Sequence, residues 1–154
     1  ARHPDFHVTI KTKAAAHYLD YVQNIYLQSQ TRALANLVIT NFANAATLIS
    51  NSAVVIGFDS TVLAEALAAG RPIIRPDFRQ YAADSSWDFL AGFEGLVNYV
   101  KSYDDLEQML LELARLKMDQ RQREEFLTKL IGGTDGQASV RAEQEIIETI
   151  NDFR

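Results

Sequence analysis

The chain has 154 residues, with 15 Lys and Arg against 20 Asp and Glu for a formal net charge of −5, and 47% hydrophobic against 23% charged residues. This is globular composition with enough apolar material for a core, and it excludes a disordered tail, a collagen-like fibre and a polybasic nucleic-acid arm. No apolar run reaches the ~18 to 20 residues of a membrane-spanning helix, no secretion signal opens the chain, and the lack of cysteine excludes disulfides, thiolate metal sites and a Cys nucleophile.

Ala1-Arg2-His3-Pro4-Asp5 reads as the tail of a helix and its turn, and the only methionines are Met109 and Met118. The expectation is a piece of a longer enzyme, entered part-way through a domain. Phe6 to Lys11 alternates apolar and polar residues as a strand does. Residues 14–34 are helix-compatible, Leu37 to Thr40 is a β-branched run, and 43–50 can form two helical turns. Ala53 to Gly57 is a second such run, of the kind buried on both faces of a parallel sheet. Ser60 to Ala69 reads as a helix stopped by Gly70 at C′ and Pro72 beyond it. Pro72 to Pro76 and Leu96 to Val100 supply two more strands.

Beyond these strands the pattern turns helical. Leu106, Met109, Leu110, Leu113 and Leu116 recur at helical spacing behind the cap candidates Ser102 to Asp105. Residues 119–131 form a charged helix ending at Gly132-Gly133. A last helix from about Ser139 presents Val140, Ile147, Ile150 and Phe153. Strands alternating with helices predict βαβ units with right-handed crossovers and a mostly parallel sheet, in a single domain over 1–154.

Ligands of open α/β sheets bind at the carboxyl ends of the strands, which directs attention to Lys11-Thr12-Lys13, Thr40-Asn41-Phe42, Gly57 to Thr61 and Arg75-Pro76-Asp77. At the third, Gly57 permits a tight exit from the strand. The free N–H groups and positive end of the following helix, with the Ser60 and Thr61 hydroxyls, favour a phosphate. Asp59 or Ser60 serves equally well there as an ordinary helix cap. Glu65 lies four residues after Thr61 on the same helix side, placed to accept from a ribose diol, though a solvated surface role fits the spacing too. Lys11 and Lys13 offer point charges to a phosphate, or form an exposed basic strand edge. Arg75 reaches the same crevice or pairs with Asp77.

Phe78, Tyr81, Trp87, Phe89 and Phe93 either stack a base or sugar or pack their long connection onto the core. His3, His7 and His17 lack zinc-ligand spacing, so no metal or other cofactor is expected. Neither a Walker loop, a G-x-G-x-x-G turn nor a G-x-S-x-G elbow occurs, and no catalytic residue can be named.

The run from Ser52 to Ile74, SAVVIGFDSTVLAEALAAGRPII, resembles the C-terminal half of GT-B glycosyltransferases and related enzymes of bacterial surface polysaccharide synthesis. Capsule and lipopolysaccharide sugar transferases and CDP-glycerol glycerophosphotransferases are the relatives it is similar to. The resemblance implies a Rossmann-like three-layer α/β/α domain, half of a GT-B fold, that holds a nucleotide-sugar or CDP-alditol donor. A polysaccharide or lipid-linked acceptor would bind through a domain outside this chain. Ser60 and Thr61 then match the phosphate-binding turn and Glu65 the helix acid beside the nucleotide. Lys11 matches a lysine segment in which Thr12-Lys13 stands where the family often has His-Pro. Gly133 to Arg141 resembles the closing segment before a terminal helix.

The expected nucleotide- and phosphate-binding set is Lys11, Lys13, Thr40, Asp59, Ser60, Thr61, Glu65 and Arg75, in a cytoplasmic, metal-independent transferase domain whose parent is peripheral at the inner membrane face. Two other readings are compatible with the residues. One is a sugar-nucleotide epimerase-like domain, and the other is a non-catalytic α/β interaction module whose turn is only a cap.

Overall fold

The computed structural model describes residues 3–29, 34–58, 60–78, 88–133 and 135–153. It is a mixed α/β chain of two compact units, residues 1–48 and 49–154.

In the first unit, β1 (Val8–Lys11) and β2 (Leu37–Thr40) pair in parallel with Val8 opposite Leu37 and Lys11 opposite Thr40. The helix between them, α1 (Ala16–Ser29), makes this a βαβ unit, because parallel neighbours need a crossover rather than a hairpin. Asn36 fastens the entry to β1: its Nδ2 donates to the carbonyls of Phe6 at 2.6 Å and His3 at 3.2 Å, while its own carbonyl accepts from Val8 N at 2.9 Å. Tyr26 of α1 accepts from Leu34 N through its hydroxyl at 2.8 Å, tying the helix to the approach of β2. Helix α2 (Ala45–Asn51) begins behind Asn44, whose Oδ1 accepts from Thr47 N at 3.0 Å as an N-cap does.

The second unit holds a parallel sheet in the order β3 (Val55–Ile56), β4 (Ile73–Pro76), β5 (Val97–Val100). The centre strand β4 carries Ile73 and Ile74, both fully buried on opposite faces, as a middle strand of a parallel sheet requires. Double burial recurs in β5, where the successive residues Val97 and Asn98 are both buried, but not in β3 and β2, where Ile56 and Val38 stand exposed. Helix α3 (Val62–Ala68) buries Leu63, Ala66 and Leu67 completely against this sheet.

The sequence-predicted stop of α3 is present in full. Gly70 adopts φ +69°, its N–H reaches Leu67 O at 3.0 Å, and Arg71 N reaches Ala66 O at 2.8 Å, which is the paired geometry of a Schellman ending. The last α3 carbonyls are then covered from α5 (Gln120–Ile131), where Arg123 donates to Leu67 O at 2.6 Å and Ala68 O at 2.9 Å.

Phe126 and Leu127 of α5 close the core together with Leu90, Phe93, Leu96 and Val97. Phe93 meets Phe126 edge-on at 5.2 Å and Phe89 lies 6.2 Å from it, so these aromatics pack their connection onto the core. Tyr81 and Trp87 lie outside the described residues. Asn98, buried in β5, clamps the 116–118 segment: Nδ2 donates to Ile73 O at 2.9 Å and Lys117 O at 3.1 Å, and Oδ1 accepts from Lys117 N at 2.7 Å. With both arms used, burying this amide costs little.

Helix α4 (Tyr103–Leu111) starts where Ser102 Oγ accepts from Asp105 N at 3.0 Å, and α5 where Asp119 Oδ1 accepts from Gln122 N at 2.8 Å. Gly132, at φ +73°, ends α5. Helix α6 (Ala138–Asp152) is amphipathic but buries no residue, and Val140, Ile146, Ile147, Ile150 and Phe153 all stand exposed. No helix among the described residues is long and apolar enough to cross a membrane.

Candidate phosphate-binding strand ends

The β3–α3 connection is built around Gly57. Its φ is not positive; a Cβ there would lie 3.0 Å from Leu63 Cδ2, so glycine is needed for the close approach of a fully buried leucine rather than for a left-handed turn. Leu63 in turn seats α3 with its N-terminus at the carboxyl end of β3.

Ser60, Thr61 and Glu65 are all exposed, the first two at the head of α3 and Glu65 on the side opposite Leu63, Ala66 and Leu67. Thr61 makes no side-chain cap, and Ser60 Oγ accepts from Val62 N only at 3.4 Å, long for a hydrogen bond. The two hydroxyls therefore remain available to a ligand. Asp59 lies outside the described residues.

Arg75, at the end of β4, pairs with Asp88 at 2.7 Å rather than with Asp77. Asp88 is a partner that sequence spacing could not single out, thirteen residues away across a long connection. Tyr99 stands beside Arg75 in the parallel register. Partial burial pushes the Tyr99 phenol above its ordinary value, with the Arg75 guanidinium opposing the rise and the Asp88 carboxylate adding to it. Asp88 also rims a cavity of about 300 Å³ lined by Phe89, Phe93, Phe126 and Lys129.

In the first unit, Lys11 Nζ donates to the carbonyls of Thr12 at 2.7 Å and Asn41 at 3.2 Å, joining the two strand ends. Lys13 Nζ lies 5.3 Å from the centre of the Tyr18 ring, within cation–π range. Thr40 Oγ1 accepts from Phe42 N at 3.3 Å and Ala43 N at 3.4 Å, shaping the turn that leaves β2. Lys11, Lys13 and Thr40 thus share one strand-end cluster in the first unit, and Ser60, Thr61, Glu65 and Arg75 belong to the second.

Sequence reasoning named the strand ends that hold Thr12 and Asn41 but gave neither residue a role, and both are buried polar residues of the first cluster. The only signal for them was position, each standing directly after a strand. Among the described residues no group of three His, Asp or Glu side chains is placed to hold a metal. Compared with family models, with curated proteins and with solved structures, the chain matches none.

Proposed function

We propose that the chain is the donor-binding domain of a metal-independent glycosyltransferase or glycerophosphotransferase of the GT-B type. In this reading it is Rossmann-like and cytoplasmic, and it takes a nucleotide-sugar or CDP-alditol. The observation that carries the reading is the β3–α3 turn. Two hydroxyls at the head of α3 and the Glu65 carboxylate one turn along stand exposed, while Leu63, Ala66 and Leu67 seal the other side of the helix in the core. A phosphate at Ser60 and Thr61 would receive hydroxyl and amide hydrogen bonds and the positive end of α3. Glu65, one turn along, would then accept from a ribose diol.

The leaving nucleotide's phosphate charge would be stabilised by these donors, with no metal required. The base that activates the acceptor hydroxyl is assigned to no residue of this chain. The resemblance of residues 52–74 to the GT-B donor half supports the choice of this chemistry over other uses of a βα turn.

The test is a panel of CMP, CDP, UDP, GDP and ADP titrated into the ¹⁵N-labelled chain. One nucleotide should shift the amides of Ser60, Thr61 and Glu65, and Ser60→Ala with Thr61→Ala should abolish those shifts. A folded sample that responds to no nucleotide, or a double variant with unchanged affinity, would overturn the assignment.

A further inference from the structure

Two helices of the chain carry apolar faces that stand open. Helix α6 buries no residue, and Ile146, Ile150 and Phe153 fall on one side of it at i, i+4 and i+7, with Ile147 beside them. Helix α1 likewise buries none. Its Leu19, Val22 and Tyr26 are half-buried, whereas Tyr18, Tyr21 and Ile25 line a separate exposed stripe at i, i+3 and i+7. Contiguous exposed apolar surface marks a place where chains associate. Each stripe spans two helical turns, so one can lie along the other.

Charge selects what can cover them. Helix α6 carries Glu143, Glu145, Glu148 and Asp152, none with a cation partner among the described residues, and its one base, Arg141, is engaged by Asp135. At α1 the charge has the other sign. Lys13 stands over the Tyr18 ring at 5.3 Å, without a carboxylate partner among the described residues, and the helix's single acid, Asp20, falls off the stripe by the helical period. The imbalance extends to the units, with four Lys and Arg to two Asp and Glu in residues 1–48 and eleven to eighteen in residues 49–154. Two α6 faces would bring acids against acids, and two α1 faces Lys13 against Lys13. An anionic lipid surface would repel α6, since helices that lie on membranes carry Lys and Arg on the polar face. The surface complementary to α6 is thus the α1 face, apolar along its stripe and basic at its end.

We infer that α6 of one copy of the chain packs along the Tyr18, Tyr21 and Ile25 face of α1 in a second copy. The contact joins two different surfaces, so every copy has one of each to offer. It also supplies apolar burial to the first unit, which has no buried apolar residue of its own among the described ones.

The experiment is sedimentation of the chain across a concentration series, with Tyr21→Glu and Ile150→Glu as single variants. Both positions are well exposed, at 66% and 52%, and glutamate is a good helix former, so the fold is retained. The parent should self-associate as its concentration rises. Each variant alone should associate about tenfold more weakly or not at all, the effect of losing a central apolar contact. An equimolar mixture of the two should form a one-to-one pair, because the intact α6 of the Tyr21→Glu chain meets the intact α1 of the Ile150→Glu chain. Amide exchange in α1 should slow with concentration in the parent and in neither variant alone. A parent that is monomeric throughout overturns the contact. So does a Tyr21→Glu variant that associates as the parent does, which would mean that α6 pairs with itself, or a mixture that stays monomeric, which would mean that the two helices do not meet.

Discussion

Gly57 and Leu63 are in close contact. Leu63 is fully buried and a Cβ at position 57 would lie 3.0 Å from its Cδ2, so Gly57→Ala requires a packed side chain to give by a few tenths of an ångström. Overpacking of this kind costs ~1 to 3 kcal/mol. Urea unfolding should show that loss, and a stability equal to the parent's would mean that the leucine tip moves freely. By contrast, Ser60→Ala and Thr61→Ala should leave stability within about 0.5 kcal/mol, because both side chains are exposed and neither makes a good cap. This difference allows any loss of nucleotide binding in the double variant to be read as loss of contact. The glycine was legible as a residue that matters, but its reason was not, since which side chain presses on a backbone is invisible in a string. Arg75 shows the same limit: its nearby acid Asp77 was visible, whereas its actual partner Asp88 is brought in by the fold.

At the scale of elements, helix boundaries followed local signals closely. Ser102, Asp119 and Gly70 act as the caps and stop that their residue types suggest, because capping is settled within a turn of the chain. The start of α6 carries a titratable version of the same principle. Arg141 Nη1 donates to both carboxylate oxygens of Asp135, at 2.8 and 3.1 Å, and Gln137 N adds a bond at 3.0 Å. The Arg141 hydrogen bond first, then the backbone one, holds the Asp135 carboxyl below its ordinary value. With the folded-state pKa depressed, this carboxylate favours the folded form above the unfolded value, and the contribution is lost as pH falls through the folded one. A carboxyl ¹³C titration of Arg141→Gln should find Asp135 titrating closer to its ordinary value, and an unchanged midpoint would remove Arg141 as the cause.

Across the whole molecule, burial is uneven. Every buried apolar residue among the described ones lies at Ile49 or beyond, whereas β1 is exposed along its length and α1 buries nothing. Local opening is easiest where few apolar contacts resist it. Amide exchange in β1 and β2 should therefore run well ahead of exchange in β4 and β5. Comparable protection in the two sheets would show that the first unit is held by something other than its own packing. Beside the β1–β2 ladder, its polar bonds include Asn36 on Phe6, Tyr26 with Leu34 and Lys11 on Asn41.

The amino-acid sequence by itself determined the α/β class, the order of five strands and their helices, and the placement of Thr61 and Glu65 on one side of α3. These depend on hydrophobic periodicity and on capping, which act over a few residues. Only the tertiary structure decided that the strands form two separate parallel sheets, that Arg75 is engaged by Asp88, and that Asn41 is buried with an unmatched oxygen. Each of those depends on residues far apart in the chain meeting in space, and pairing, burial and polar satisfaction have no signature in local spacing.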